Sequence, residues 1–420
     1  MTRSRLDWLG HAALALAALG SESCSASGGG ASVDRMMHGA TAGADAIQSA
    51  GKGPGITINV GGADGGGGSN GGMGCQHVEV SFIPKVPTVF VLVDRSDSMF
   101  VPNSVTQITS WDPLKAGVLS VIERLQAEIR FGFGAFSGQQ GGQCPIFDAI
   151  APALDNAAAI SAVYQPLTKL TGVKGETPVT QVLPLVADLL AKDPADGGKY
   201  ILFVTDGEPD FCDDGDPQCP ADALVARVQR LAQAGIHTIV FGLKSEQSAI
   251  SDVALQAVAN AGAGQPVAAP FVGNTPQSVC TTCSARPGWV AEWSGLGTVP
   301  SCATAGRQLL GTYGLAASNT TVYHPDPNDQ AALTQQIAGA ISGVKSCVFD
   351  LGGEITVNLA LLAEATVTIE GQVVPLSDDN GWRMNTNTQL ELTGSACTTW
   401  QRPESAHIDF NFPCDVIVPK

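Results

Sequence analysis

The chain has 420 residues, 44% of them hydrophobic, enough to bury a sizeable core in two or three domains, and many of its 49 glycines lie before residue 76. Its net charge of −17 argues against nucleic acid and anionic membrane as partners, because both repel it. Cations suit it better, although secreted proteins also carry such charge for solubility alone.

Arg3 and Arg5 precede an apolar run from Trp8 to Leu19 and then small residues, the order of a secretory signal peptide, and the run is too short for a permanent membrane helix. Residues 1–23 are therefore expected to direct export, with Ala18-Leu19-Gly20 as a small-x-small cut site. A lipid anchor at Cys24 is the alternative. The residues before it, Ser21-Glu22-Ser23, depart from the Leu-small-small-Cys pattern of a bacterial lipobox. Without Cys24, ten of the 11 cysteines remain, an even number that in an exported chain points to disulfides.

Residues 24–83 are rich in Gly, Ser and Ala and cannot bury enough apolar surface to offset their ordering entropy, so they predict a disordered tether. Its reach is roughly 40 Å. Ile56-Thr57-Ile58-Asn59-Val60 alternates like a strand but is short and isolated.

From residue 84 to 346 strands and helices alternate. Thr88 to Asp94 is an apolar run that reads as a buried strand. Asp112-Pro113 opens a helix to Leu125, and Glu128 to Phe136 alternates as a strand followed by a Gly/Gln-rich loop with Cys144. Gly175-Glu176-Thr177-Pro178 opens a helix to Lys192, and Lys199 to Val204 is a buried strand ending in Thr205-Asp206-Gly207. A helix from Ala221 to Ala234, a strand from Ile236 to Leu243 and a helix from Asp252 to Ala261 follow. Residues 265–324, with Cys280-x-x-Cys283, Trp289, Trp293 and Cys302, read as a loop-rich insertion, and Pro325-Asp326-Pro327 leads into a last helix. This alternation predicts an α/β fold, doubly wound around a mostly parallel, Rossmann-like sheet.

From 347 to 420 the period changes to two, as in Ile355/Val357/Leu359 and Ile408/Phe410/Phe412, and helices disappear. That predicts a small antiparallel β domain stapled by Cys347, Cys397 and Cys414.

Three junctions in the α/β region carry oxygen ligands: Asp94, Ser96 and Ser98; then Thr177; then Asp206. At the C-terminal ends of parallel strands they converge on one edge, and hydroxyls with a few carboxylates suit a hard cation such as Mg²⁺, with Mn²⁺ or Ca²⁺ as alternatives. The set resembles the von Willebrand factor A domain, whose metal-ion-dependent adhesion site is Asp-x-Ser-x-Ser, a threonine and an aspartate. The resemblance implies that Ser96, Ser98 and Thr177 touch the cation and that Asp94 and Asp206 hold it largely through water. The sixth position is then left to an acidic side chain of a protein ligand. Asp97 departs from the family's usual glycine between the serines; it either strengthens cation binding or faces solvent.

Glu208, Asp210, Asp213, Asp214 and Asp216 follow, with Cys212 and Cys219 around the last three. They read either as a solvated loop or as an acidic rim or second calcium-type site pinned by a local disulfide, and Glu208 beside the metal edge would select among partners by repulsion. Cys280-x-x-Cys283 lacks the clustered partners of a zinc site and reads as structural disulfides. His237 starts its strand, on the edge opposite the metal, so a Ser/His/Asp hydrolase lacks its base. The sequence therefore predicts no enzyme but an exported, cation-dependent adhesion protein. The alternatives are an envelope protein whose metal only stabilises the fold, and a metal-assisted hydrolase with Glu208 as base.

Overall fold

The computed structural model describes residues 56–59, 81–140, 142–172, 175–210, 212, 218–243, 252–267, 316–352, 355–402 and 407–419. The expected signal peptide, Cys24 and residues 268–315 of the expected insertion, with Cys280-x-x-Cys283, lie outside these residues, whereas the insertion's end contains a short strand, Val322–Tyr323.

The strand Thr88–Asp94 (β3) is buried at all seven positions. Val89, Val91 and Val93 point into one apolar cluster, and Phe90 and Leu92 into another, so its strict alternation feeds two cores at once. Parallel to it run Arg130–Ser137 (β4) on one side and Lys199–Thr205 (β6), Ile236–Gly242 (β7) and Val322–Tyr323 (β8) on the other. Ile146–Ala153 (β5) closes the sheet as an antiparallel edge, giving the order β5-β4-β3-β6-β7-β8. The chain leaves β3 towards β4 and later returns to its other flank as β6. The end of β3 is thus the topological switch point, where the loops of β3 and β6 diverge and open a crevice.

Trp111–Leu125 (α1), Ala157–Tyr164 (α2) and Gln330–Ser342 (here α6) cover one face of the sheet. Val179–Lys192 (α3), Gln218–Gln233 (α4) and Asp252–Gly262 (α5) cover the other. At the bottom edge, buried Asp193 accepts hydrogen bonds from Thr88 Oγ1 (2.5 Å) and Arg130 Nε (2.8 Å), aligning the starts of β3 and β4. Gly134 of β4 leaves room for the ring of Phe147, which a Cβ there would overlap.

Two elements depart from the sequence reading. The segment after β4 contains β5 and α2 rather than loop alone. Ala149, Ala151, Pro152 and Ala153 are weak strand formers, and the proline fits because β5 is an edge strand.

The β domain contains Val348–Gly352 (β9), Ile355–Val357 (β10), Thr366–Ile369 (β11), Gln372–Val374 (β12), Trp382–Thr386 (β13), Gln389–Leu392 (β14), Ile408–Asn411 (β15) and Ile417–Pro419 (β16). Phe349 meets Phe410 with ring centroids 5.5 Å apart, and Trp382 meets Phe412 at 5.9 Å, within a core that also holds Val367, Leu390 and Ile408. Cys347 is bonded to Cys397, as the staple reading expects of these two. A short helix, Gly394–Trp400 (α7), interrupts the period-two pattern, contrary to the expected absence of helices.

The domain does not begin at 347. Ser81–Pro84 (β2) pairs antiparallel with β9, and Ile56–Asn59 (β1) pairs parallel with β15. The two four-stranded sheets are ordered β13-β14-β9-β2 and β1-β15-β11-β12. Both segments fall in the stretch expected to be only a tether, where alternation over four or five residues is too little to reveal a partner strand far along the chain. The α/β module is therefore inserted between β2 and β9, neighbouring strands of one sheet. At this junction Lys345 is almost fully buried, 3.4 Å from Glu128 Oε2, donating to Arg402 O at 3.0 Å and lying 5.0 Å from the ring centre of Trp400.

Candidate metal centre

All five predicted ligands lie at the C-terminal edge of the sheet, around the crevice between β3 and β6. Asp94 ends β3 and is fully buried. Its Oδ1 accepts from the Ser96 backbone N–H (2.7 Å) and its Oδ2 from Thr205 Oγ1 (2.6 Å). Ser96 Oγ lies 2.9 Å from Ser98 Oγ, and Ser98 Oγ donates to Asp206 Oδ1 at 2.7 Å. Thr177 is buried, and its hydroxyl hydrogen-bonds Asp94 rather than capping α3, where no side-chain cap forms. Gly207 lies beside Ser98 Oγ and Thr177 Oγ1, which would sit 3.5 and 3.8 Å from a Cβ there.

This donor set fits a hard divalent cation. Asp206 is fully buried, yet its Oδ2 meets no hydrogen-bond donor, an orphaned anionic oxygen that a folded protein tolerates only with compensation. Burial pushes the Asp94 carboxyl up to about 6 against the opposing hydrogen bonds from Thr205, Ser96 and Thr177. Burial and then the neighbouring Asp94 charge push Asp206 up to about 7. Arg95, the adjacent cation in sequence, turns away to Asp148 Oδ2 (3.0 Å) and Thr168 O (2.8 Å from Nε). With only two carboxylates among five oxygen donors, such a set would leave a bound divalent ion electrophilic.

The loops are fastened to one another. Arg95 N–H donates to Phe136 O (2.7 Å) at the end of β4, and Asp97 N–H to Gly175 O (3.3 Å) in the segment before Thr177. Gly175 is obligatory, because a Cβ there would collide with the Asp97 side chain. Asp97 itself is exposed, the solvent-facing of its two expected roles, with Oδ1 3.4 Å from Lys169 Nζ on the rim.

Glu208 and Asp210 lie on the loop after β6, where the Asp210 N–H donates to Thr177 O at 2.9 Å. The expected local disulfide from Cys212 to Cys219 is not formed. Cys212 bonds Cys144 across 68 residues, because the loops after β4 and β6 meet at this edge. Asp213, Asp214 and Asp216 lie outside the described residues. His237 near the start of β7 is at the opposite edge, as expected, with Nδ1 3.2 Å from Gly262 O. His324 follows β8 on the metal side, two strands from β6, with Nδ1 3.3 Å from Gly242 O. Sequence reasoning missed Thr205, Arg95, Gln181 and Cys144 as supports of the site. Only Thr205 carried a local signal, as the hydroxyl preceding Asp206.

No family model and no curated protein matches the chain. Among solved structures, the pilus adhesin SpaC from Lactobacillus rhamnosus GG is 15% identical over 74% of this chain, with a TM-score of 0.36. The chain covers 37% of that adhesin. The manganese-loaded Plasmodium vivax TRAP protein is 14% identical over 74% of this chain and 94% of its own, with a TM-score of 0.35. The SpRpn10 VWA domain is 14% identical over 51% of this chain and 100% of its own, with a TM-score of 0.32.

Proposed function

We propose that this chain, whose α/β module has the von Willebrand factor A fold, is an exported adhesion protein that binds a protein ligand through a shared divalent cation. The observation that carries the reading is the buried, unbonded Oδ2 of Asp206 beside buried Asp94, with the hydroxyls of Ser96, Ser98 and Thr177 around them and Arg95 turned away to Asp148. Ser96, Ser98 and Thr177 would touch the ion, and Asp94 and Asp206 would supply the negative charge. A divalent ion so held retains positive charge for one further anionic ligand, which a partner's Asp or Glu provides.

Asp94 is oriented by Thr205 and the Ser96 backbone, so its acceptor geometry is set before an ion arrives. Asp97, Glu208 and Asp210 add negative charge around the opening, which repels acidic surfaces except where a carboxylate reaches the ion itself. Export is supported by the Cys144–Cys212 and Cys347–Cys397 bridges, which persist in oxidising compartments. No reaction is assigned to the chain.

The test is capture of cell-surface proteins by the purified full chain in Mg²⁺ and in EDTA, alongside Asp206→Ala. Capture is expected in Mg²⁺ only and is lost in the variant. Capture that survives both treatments would sink the reading. Cation-dependent thermal stability without cation-dependent capture would instead assign the ion a purely structural role.

A further inference from the structure

The bridge between Cys144 and Cys212 lies where no single structural need explains it. β4 and β6 flank β3 in the sheet, and the disulfide joins the loops that leave their C-terminal ends, with Cα atoms 5.7 Å apart. It therefore spans the end of β3, the strand whose loop carries Asp94, Ser96 and Ser98. The loop from Asp206 to Cys212 is fastened at both ends to the ligands. It begins with Asp206, and its Asp210 N–H donates to Thr177 O at 2.9 Å. Cys212 N–H donates to Gln181 Oε1 at 2.9 Å, against the first turn of α3 directly after Thr177. On the β4 side, Arg95 N–H donates to Phe136 O at 2.7 Å. The β3 loop, the end of β4, the bridge, the β6 loop and the start of α3 thus form one closed ring around the five ligands.

We propose that the Cys144–Cys212 bridge is a positioning strap for the cation site, so that opening it weakens cation binding while the module stays folded. The proposal rests on the reading of Asp94, Ser96, Ser98, Thr177 and Asp206 as that site. The ring opposes a specific force. Asp94 and Asp206 repel each other, with Asp97, Glu208 and Asp210 adding like charge nearby, and the bridge holds the β6 loop that carries Asp206 against that repulsion. Held in place, the ligands meet the ion without an ordering cost; released, they must be gathered by it.

Both cysteines are half-exposed, within reach of a small dithiol. One thiolate of the dithiol attacks a sulfur of the bridge, the Sγ–Sγ bond breaks, and the second thiol resolves the mixed disulfide. The dithiol leaves as its cyclic disulfide, and its two protons end on Cys144 and Cys212. Cation affinity then follows the redox state of this one bond.

The experiment is calorimetric titration of the full chain with Mn²⁺, comparing wild type, Cys144→Ser with Cys212→Ser, and Cys347→Ser with Cys397→Ser as the control bridge in the β domain. Opening the Cys144–Cys212 bridge is expected to weaken Mn²⁺ binding roughly 10- to 100-fold, the usual cost of losing a support behind a metal ligand. Far-UV circular dichroism is expected to stay unchanged, and the control pair to bind as wild type does. Should the first pair not fold, wild type reduced in its folded state by a dithiol, freed of reductant and checked by peptide mapping, gives the same comparison, and reoxidation is expected to restore affinity. A merely structural bridge would lower the melting temperature and leave Mn²⁺ affinity where it was; that result overturns the strap, as does equal weakening in the control pair. Wild type that binds no Mn²⁺ overturns the cation site itself, and the strap with it.

Discussion

A single oxygen, Oδ2 of Asp206, links sequence to chemistry here, because it is buried without a hydrogen-bond donor next to a second buried carboxylate. Such a pair makes the stability of the protein depend on pH in an unusual direction. In chelator, Asp94 and Asp206 hold their protons up to about 6 and about 7, against 3.8 for an ordinary aspartate. The folded chain therefore binds protons more tightly than the unfolded one. The destabilising contribution is full above about pH 7, shrinks as pH falls through the folded values, and is gone below the unfolded value. Asp206→Asn is accordingly expected to melt higher than wild type in EDTA at pH 8, and that advantage is expected to shrink steadily as pH falls through 7 towards 5. A bound divalent cation reverses the sign, since it needs both carboxylates ionised. Mn²⁺ affinity is expected to fall at least about tenfold between pH 8 and pH 6, because protons compete for the same oxygens. Calorimetric titration at the two pH values and melting curves in EDTA check both expectations, and pH-independent Mn²⁺ binding would place the ion elsewhere.

At the scale of elements, the candidate site was legible because each proposed ligand stands where a pattern breaks. Asp94 ends an unbroken apolar run, Thr177 precedes a helix and Asp206 follows a second apolar strand, so three changes of periodicity mark one edge. β5 was not legible, since Ala149, Ala151 and Ala153 carry little strand preference and its place depends on the open edge of β4. Neither was the partner of Cys212, because proximity to Cys144 follows from the order of β4, β3 and β6 rather than from spacing in the chain. The junction after α6 was equally hidden. There Trp400 Nε1 donates to Ser346 O (2.9 Å) and Gln401 Nε2 to Lys345 O (2.8 Å), so α7 clasps the connection leaving the module. Burial holds the Lys345 amine below its ordinary range, against the opposing pull of Glu128, so the ion pair is what makes a buried ammonium tenable. Lys345→Ala removes the buried ammonium together with its contacts to Glu128, Arg402 O and the Trp400 ring, and is expected to cost about 3 kcal/mol. Urea unfolding of the two proteins measures it, and a loss below about 1 kcal/mol would mean that the pair contributes no more than an exposed one.

For the molecule as a whole, the consequence of the insertion is that both connections to the α/β module leave from adjacent strands, β2 and β9. Their register is Ser81 with Gly352, Phe82 with Leu351, Ile83 with Asp350 and Pro84 with Phe349. Lys85 Nζ lies 3.5 Å from Asp350 Oδ2 just beyond the last pair, although a pair this exposed adds little. A chain beginning at Val86 would keep every strand and helix of the module but strip β2 from β9 and β1 from β15, exposing two strand edges in the β domain. Hydrogen exchange separates the two parts. Amides of β9 and β15 are expected to lose protection in such a truncated chain, while those of β3 and β6 keep theirs and Mn²⁺ still binds, because all five proposed ligands lie beyond the cut, within the module. If β9 stays as protected as in the full chain, the domain is completed by its C-terminal strands alone and the segment before the module is only a tether. If β3 loses protection as well, the two parts fold as one cooperative unit, and the Lys345 junction rather than the sheet edge is what joins them.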